Sequence, residues 1–148
     1  MYKAPVGEIA HTLKSVAGLS AALEAGKLGD LSDDLVDAIL EEAGKFASDR
    51  IAPMHGPGDR QGATCQDGAV TMPDGYKDLY QDWIAGGWNS LAADPEHGGQ
   101  GLPTMLAMAV SEMWNSGAIG FGLCPTLTMG AIEAMEAHGS EELKATYL

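Results

Sequence analysis

Apolar positions along the chain recur mostly with helical spacing. Ile9, Leu13 and Val16 stand at i, i+4 and i+7 and predict a short amphipathic helix, which Gly18 weakens. Leu19 to Leu28 adds a turn or two before Gly29. Residues 1–30 form an N-terminal helical extension, because the segment after them carries its own start signal. Ser32 can cap the first free amides, and Asp33 and Asp34 suit the positive end of the helix dipole. Leu35, Ile39, Ala43 and Phe46 then share one face, and Pro53 is expected to stop the helix. From Met54 to Pro73 the composition shifts to Gly, Asp, Pro and Gln, which predicts a long loop. Within it, Asp67-Gly68 suits the turn of a small hairpin between Thr64-Cys65 and Val70-Thr71.

Helical spacing returns with Tyr76, Leu79, Tyr80, Trp83 and Ile84 and ends at Gly86-Gly87. A glycine-rich loop follows, Asp94-Pro95-Glu96-His97-Gly98-Gly99-Gln100-Gly101-Leu102-Pro103. Thr104 is placed to cap the next helix, whose inner face reads Met105, Met108, Ala109, Glu112 and Met113. Gly117 closes it. Ala118 to His138 carries only Glu133 and Glu136 as acids, and a helix apolar almost all round is a buried central one. Pro125 is expected to kink or split it. Gly139 ends it, and Ser140-Glu141-Glu142 opens a last helix that reaches Leu148. The fold class is therefore all-α: a helical bundle of about five or six helices with a long loop and room for one small β-hairpin. The short last helix is marginal alone, so the gene product is expected to continue past Leu148.

Composition narrows the chemistry. The 148 residues carry 8 Lys and Arg against 21 Asp and Glu, a net charge of −13. So acidic a surface repels phosphate backbones and anionic membrane surfaces, which sets aside nucleic acid as a partner. Cys65 and Cys124 belong to no CxxC pair and read as reduced thiols of a cytoplasmic protein. The N-terminus has no apolar h-region, and Met113 to Ile132 holds four glycines and a proline, so neither a signal peptide nor membrane insertion is expected.

The residues show no complete active site. His11, His55, His97 and His138 are scattered and form no metal-binding motif. No GxSxG elbow occurs, and Gly98-Gly99-Gln100-Gly101 has neither the Rossmann nor the Walker spacing. By itself that stretch means a tight turn with positive φ. Glu112, on the expected inner face, is the buried-acid candidate. The row Met105, Met108, Met113 reads as core.

The loop Asp94 to Pro103 resembles the acyl-CoA dehydrogenase family. Ser111-Glu112-Met113, Gly130-Ala131-Ile132, His138-Gly139-Ser140-Glu141-Glu142 and Lys144-Ala145-Thr146-Tyr147-Leu148 match the run that follows in that family's N-terminal helical domain. Met1-Tyr2-Lys3-Ala4-Pro5 and Leu40-Glu41-Glu42-Ala43-Gly44-Lys45-Phe46 resemble a longer-chain bacterial subgroup that includes 3-methylmercaptopropionyl-CoA dehydrogenases. The resemblance covers the whole chain. It implies that residues 31–148 are the N-terminal helical domain, the flavin-binding β-domain and C-terminal catalytic domain lying outside the chain. It implies an enzyme that forms the α,β double bond of an acyl-CoA thioester with FAD, hands electrons to an electron-transfer flavoprotein and is a homo-oligomer. No catalytic, cofactor-binding or metal residue is assigned within the chain. Ungapped alignment from Gly99 to Glu141 makes Ala118 to His138 the acyl-pocket helix and puts its pocket-facing positions at Gly122, Thr126 and Gly130. Against this stands a stand-alone acidic helical interaction module without catalytic activity. The family reading predicts that the 148-residue polypeptide alone neither retains FAD nor oxidises acyl-CoA; stoichiometric flavin absorbance in the purified polypeptide, with intact mass verified, overturns that.

Overall fold

The computed structural model describes residues 2–148; Met1, the first residue of the N-terminal extension and of the motif at its start, lies outside the described residues. The chain is helical throughout, apart from one hairpin and the glycine-rich connections, as the apolar pattern predicts.

Helix α1 (Val6–His11) runs without a break into a π-helical turn, Thr12–Val16, and α2 (Leu19–Glu24) follows Gly18, whose φ of 81° ends the first run. Ile9 and Leu13 are buried, but Val16 is 75% exposed. The i→i+5 bonding of the π turn shifts the phase, so the i+7 position rotates off the inner face.

Helix α3 (Asp33–Phe46) starts as expected, with Ser32 Oγ accepting a hydrogen bond from the Leu35 amide at 3.2 Å. Its buried row is Val36, Leu40 and Ala43, continued by Ala47 and Ile51. The sequence-based row differs by one position: Leu35 is 46% exposed, and Ile39 and Phe46 are half-buried. Both rows are apolar, so periodicity does not choose between them. The small residues do. Gly44 has room for no side chain against Val6, and Ala47 meets the end of α6 at Gly117.

Pro53 does not stop this helix. Ala47–Ile51 forms a second π-helical turn, with the Ala52 amide bonded to Ala47 O, and α4 (Ala52–Gln61) continues from it. Pro53 thus falls at the second residue of α4, directly after the π turn, and the helix runs through it. Residues 54–61 are therefore helix rather than loop, until Gly62 at φ 66° ends them.

The hairpin forms where expected. β1 (Thr64–Gln66) pairs antiparallel with β2 (Ala69–Thr71), Cys65 opposite Val70. Asp67 (φ 51°) and Gly68 (φ 81°) are both left-handed, as a two-residue type I′ turn requires.

Helix α5 (Tyr76–Ala85) buries Tyr76, Leu79 and Trp83 and leaves Ile84 outside. Helix α6 (Thr104–Gly117) begins after Pro103, and Thr104 is its first residue without capping it. Leu106, Ala107, Val110, Met113 and Trp114 are buried, so of the expected face only Met113 is right. Glu112 and Met108 are exposed, and Met105 and Ala109 are half-buried. The helix is apolar nearly all round, and its bulkiest ring, Trp114, decides which side is inward.

Helix α7 (Ile119–His138) passes through Pro125 unbroken. It is not central. Phe121, Gly122 and Pro125 are its buried residues, while Leu127 is 79% exposed. Its inner side meets α6 and α4; its outer apolar side has no cover among the described residues. Helix α8 (Glu141–Tyr147) is capped by Ser140 Oγ, which accepts from the Leu143 amide.

The core is apolar, with no buried polar or charged residue among the described residues. The N-terminal segment is held to α3 by Lys14 Nζ, 2.7 Å from both Asp33 Oδ2 and Asp37 Oδ1. Burial opposes the ammonium charge, but the hydrogen bonds and charges of the two carboxylates outweigh it and raise the Lys14 pKa above 10.5. A raised lysine pKa stabilises the fold fully below the unfolded value and loses that contribution as pH rises through the folded one. Lys14→Met should cost up to about 1 kcal/mol at neutral pH in urea unfolding, less in high salt. The gap between variant and parent should close as pH passes the raised pKa.

Candidate functional site

The connection between α5 and α6 folds back on itself. The amides of Gln100, Leu102 and Gly101 donate to the carbonyls of Ser90, Leu91 and Ala93 at 2.8–3.0 Å. Asp94 organises the tip: its Oδ1 accepts from the Glu96 amide at 2.8 Å, and its carbonyl accepts from the amides of His97 and Gly99. A single 3₁₀ turn, Pro95–His97, closes it. Gly98 (φ 85°) and Gly101 (φ 62°) are left-handed, which confirms the turn reading of this stretch. Gly99 has an ordinary φ and is glycine for another reason: a Cβ there would run into the Ala93 backbone.

The fold-back sets Trp88, Leu91 and Ala92 beside α6 and α7, and a cavity of about 270 Å³ lies between them. Trp83, Trp88 and Trp114, the three tryptophans of the protein, all line it. Trp88 and Trp114 meet edge to face at 5.3 Å, and Phe46 supports both from behind, 6.4 and 5.7 Å away. Trp83 stacks on Tyr80 at 5.8 Å, and its Nε1 is buried without a hydrogen-bond partner. From α7 come Pro125, Met129 and Ile132, and at the rim Glu133 and Glu136. The neutral polar groups are those of Asn89, Thr104, Ser111 and Thr126. Such a lining suits an apolar chain with few polar groups to fix it.

Gly122 and Thr126 line this cavity, but Gly130 does not. A helix turns about 100° per residue, so each four-residue step overshoots a full turn by about 40°. By Gly130 the row has drifted about 80° from Gly122, out to where a Cβ would meet nothing within 4 Å. The lining instead follows residues 122, 125, 126, 129, 132, 133 and 136. Gly122 is also a packing residue, since a Cβ there would stand 2.5 Å from Asn115 Oδ1. The sequence reading missed the tryptophans, Met129, Ile132 and Glu136. The signal for the first was present, in that three indoles fall in three successive apolar segments.

Met105, Met108 and Glu112 line a different feature, an open groove of about 590 Å³ between α1 and α6. Burial holds the Tyr2 phenol above its usual 10.0, Glu112 adding to the effect and a hydrogen bond with Ser116 opposing it. The four histidines stand on four different elements, and no group of three metal-type side chains exists among the described residues. Cys65 and Cys124 are exposed and unpaired.

A flavin dinucleotide needs donors for its diphosphate, and the cavity supplies two carboxylates and no cation. Elsewhere Lys14, Lys45, Arg50 and Lys144 are engaged with Asp or Glu. The cavity does not fit that group.

The glycines separate by role. Gly99→Val should lower stability by about 1–3 kcal/mol in chemical denaturation, because it overpacks against backbone. Gly130→Ala, in an open helical position, should raise it by about 0.5–1 kcal/mol.

The family model for the acyl-CoA dehydrogenase N-terminal domain matches residues 34–148. The chain is 40% identical over 147 residues to 3-methylmercaptopropionyl-CoA dehydrogenase of Ruegeria pomeroyi, covering 99% of this chain and 25% of that protein. It is 25% identical over 113 residues to the broad-specificity linear acyl-CoA dehydrogenase FadE5 of Mycobacterium tuberculosis, covering 75% of this chain and 18% of that protein. The chain therefore spans a quarter or less of the curated relatives it matches. With the helical bundle and the folded-back glycine loop, these matches show that the chain belongs to the acyl-CoA dehydrogenase family, as its N-terminal domain.

Proposed function

We propose that this domain is the acyl-tail wall of an FAD-dependent dehydrogenase that introduces the α,β double bond into an acyl-CoA thioester. The observation that carries the reading is the cavity under α7, lined by three tryptophans and aliphatic side chains and free of cations. Removing an α-proton and a β-hydride needs a base and a flavin on opposite faces of one clamped Cα–Cβ bond. In this reading both come from the rest of the polypeptide. The residues of this chain bind the tail, exclude water from it and pack against the other domains. Gly122 and Thr126 are pocket-facing; Gly130, the third residue of the sequence-based row, marks where the row leaves the pocket. An electron-transfer flavoprotein as acceptor, a homo-oligomer and a cytoplasmic location complete the proposal. No helix is long and apolar enough to cross a membrane among the described residues. The family match leaves a stand-alone interaction module without support.

The test uses the full-length enzyme and acyl-CoA substrates of graded length. Met129→Trp fills the cavity and should reduce kcat/KM for long substrates more than for short ones. About fourfold is expected for each methylene excluded, at roughly 0.8 kcal/mol per methylene. Gly130→Leu should leave the ratio of long to short substrates unchanged. An equal loss at every length for Met129→Trp overturns the reading.

A further inference from the structure

Helix α7 is attached unevenly. Its buried residues all lie between Phe121 and Pro125, and none follows them. Beyond Thr126 the helix forms the roof of the cavity through Met129, Ile132 and Glu136, yet one hydrogen bond ties that half to the body of the chain among the described residues. Glu136 Oε1 accepts from the Asp94 amide at 2.8 Å, across 42 residues of sequence. Asp94 is the residue that organises the glycine loop. Its side chain serves the Glu96 amide and its carbonyl serves His97 and Gly99, which leaves its own N–H as the donor turned to α7.

We propose that Glu136 is a positioning residue, latching the second half of α7 to the Asp94 tip and thereby setting the depth of the cavity. The consequence for substrates rests on the acyl-wall reading above; the latch itself does not. An amide N–H accepted by a carboxylate is stronger than a neutral pair, so loss of the acceptor removes the one polar tie of this half, leaving the half-buried Met129 and Ile132 to hold it. The glycines around Asp94 then have a purpose beyond turning the chain. They hold the tip in the turn that leaves that amide for Glu136.

Hydrogen–deuterium exchange on the full-length enzyme tests the latch without reference to activity. In Glu136→Ala, the Asp94 amide and the amides of residues 126–138 should exchange about tenfold faster. Glu136→Gln keeps an acceptor oxygen at the same reach and should restore slow exchange. Exchange in Glu136→Ala equal to the parent's, or no rescue by glutamine, overturns the latch. The graded acyl-CoA series is then read on the same variants. Glu136→Ala should raise KM several-fold more for the longest substrates than for the shortest. Faster exchange with an unaltered length profile leaves the latch standing and removes the acyl-wall reading beneath it.

Discussion

The end of α6 presses against the π-helical turn after α3 at Gly117, where a Cβ would stand 3.3 Å from Ala47 O and 3.3 Å from Ile51 Cγ2. This approach places Leu106, Val110 and Met113 in one fully buried core with Val36, Leu40 and Ala43. It also fixes where the chain reverses, since Ala118 turns extended directly after Gly117 and α7 departs from there. The cavity is what remains between that departing helix and the loop after α5. The π turn serves twice: its wider bonding carries Ala47 and Ile51 inward, and it delivers Pro53 into the first turn of α4. A larger residue at Gly117 would therefore disturb a cavity it does not touch.

Features set by local chemistry were legible in the sequence. Ser32 and Ser140 cap their helices, Asp67-Gly68 turns the hairpin, and Gly98 and Gly101 after Asp94 take left-handed backbone. Features set by competition between equally apolar faces were not. In α3 the choice between the rows of Leu35 and Val36 depends on Gly44 and Ala47 admitting neighbours from elsewhere in the chain. In α6 nothing in the spacing separates Met108 from Ala107. Pro53 misled because proline can be carried in a helix where the backbone bonding is already displaced, and here a π turn directly precedes it. At the cavity, the row Gly122, Thr126 and Gly130 came from alignment to the family rather than from the residues themselves, and only its first two members line the space.

Helix α7 has the composition of an interior helix and the exposure of a surface one. Leu123 and Leu127 stand out from it, 58% and 79% exposed. Burial so partial also explains why one carboxylate–amide bond counts for much in its second half, whereas in α3 or α6 it would be lost among apolar contacts.

All three indoles of the protein line one cavity, and none lies elsewhere. The intrinsic ultraviolet emission of the domain therefore comes from a single place. Trp88 and Trp114 share an edge-to-face contact, and Trp83 stands at the wall below α7. Water entering that space, or leaving it as something apolar takes its place, alters the surroundings of every emitting ring at once. The molecule carries a built-in optical gauge of how wet its cavity is, and no label has to be attached to read it.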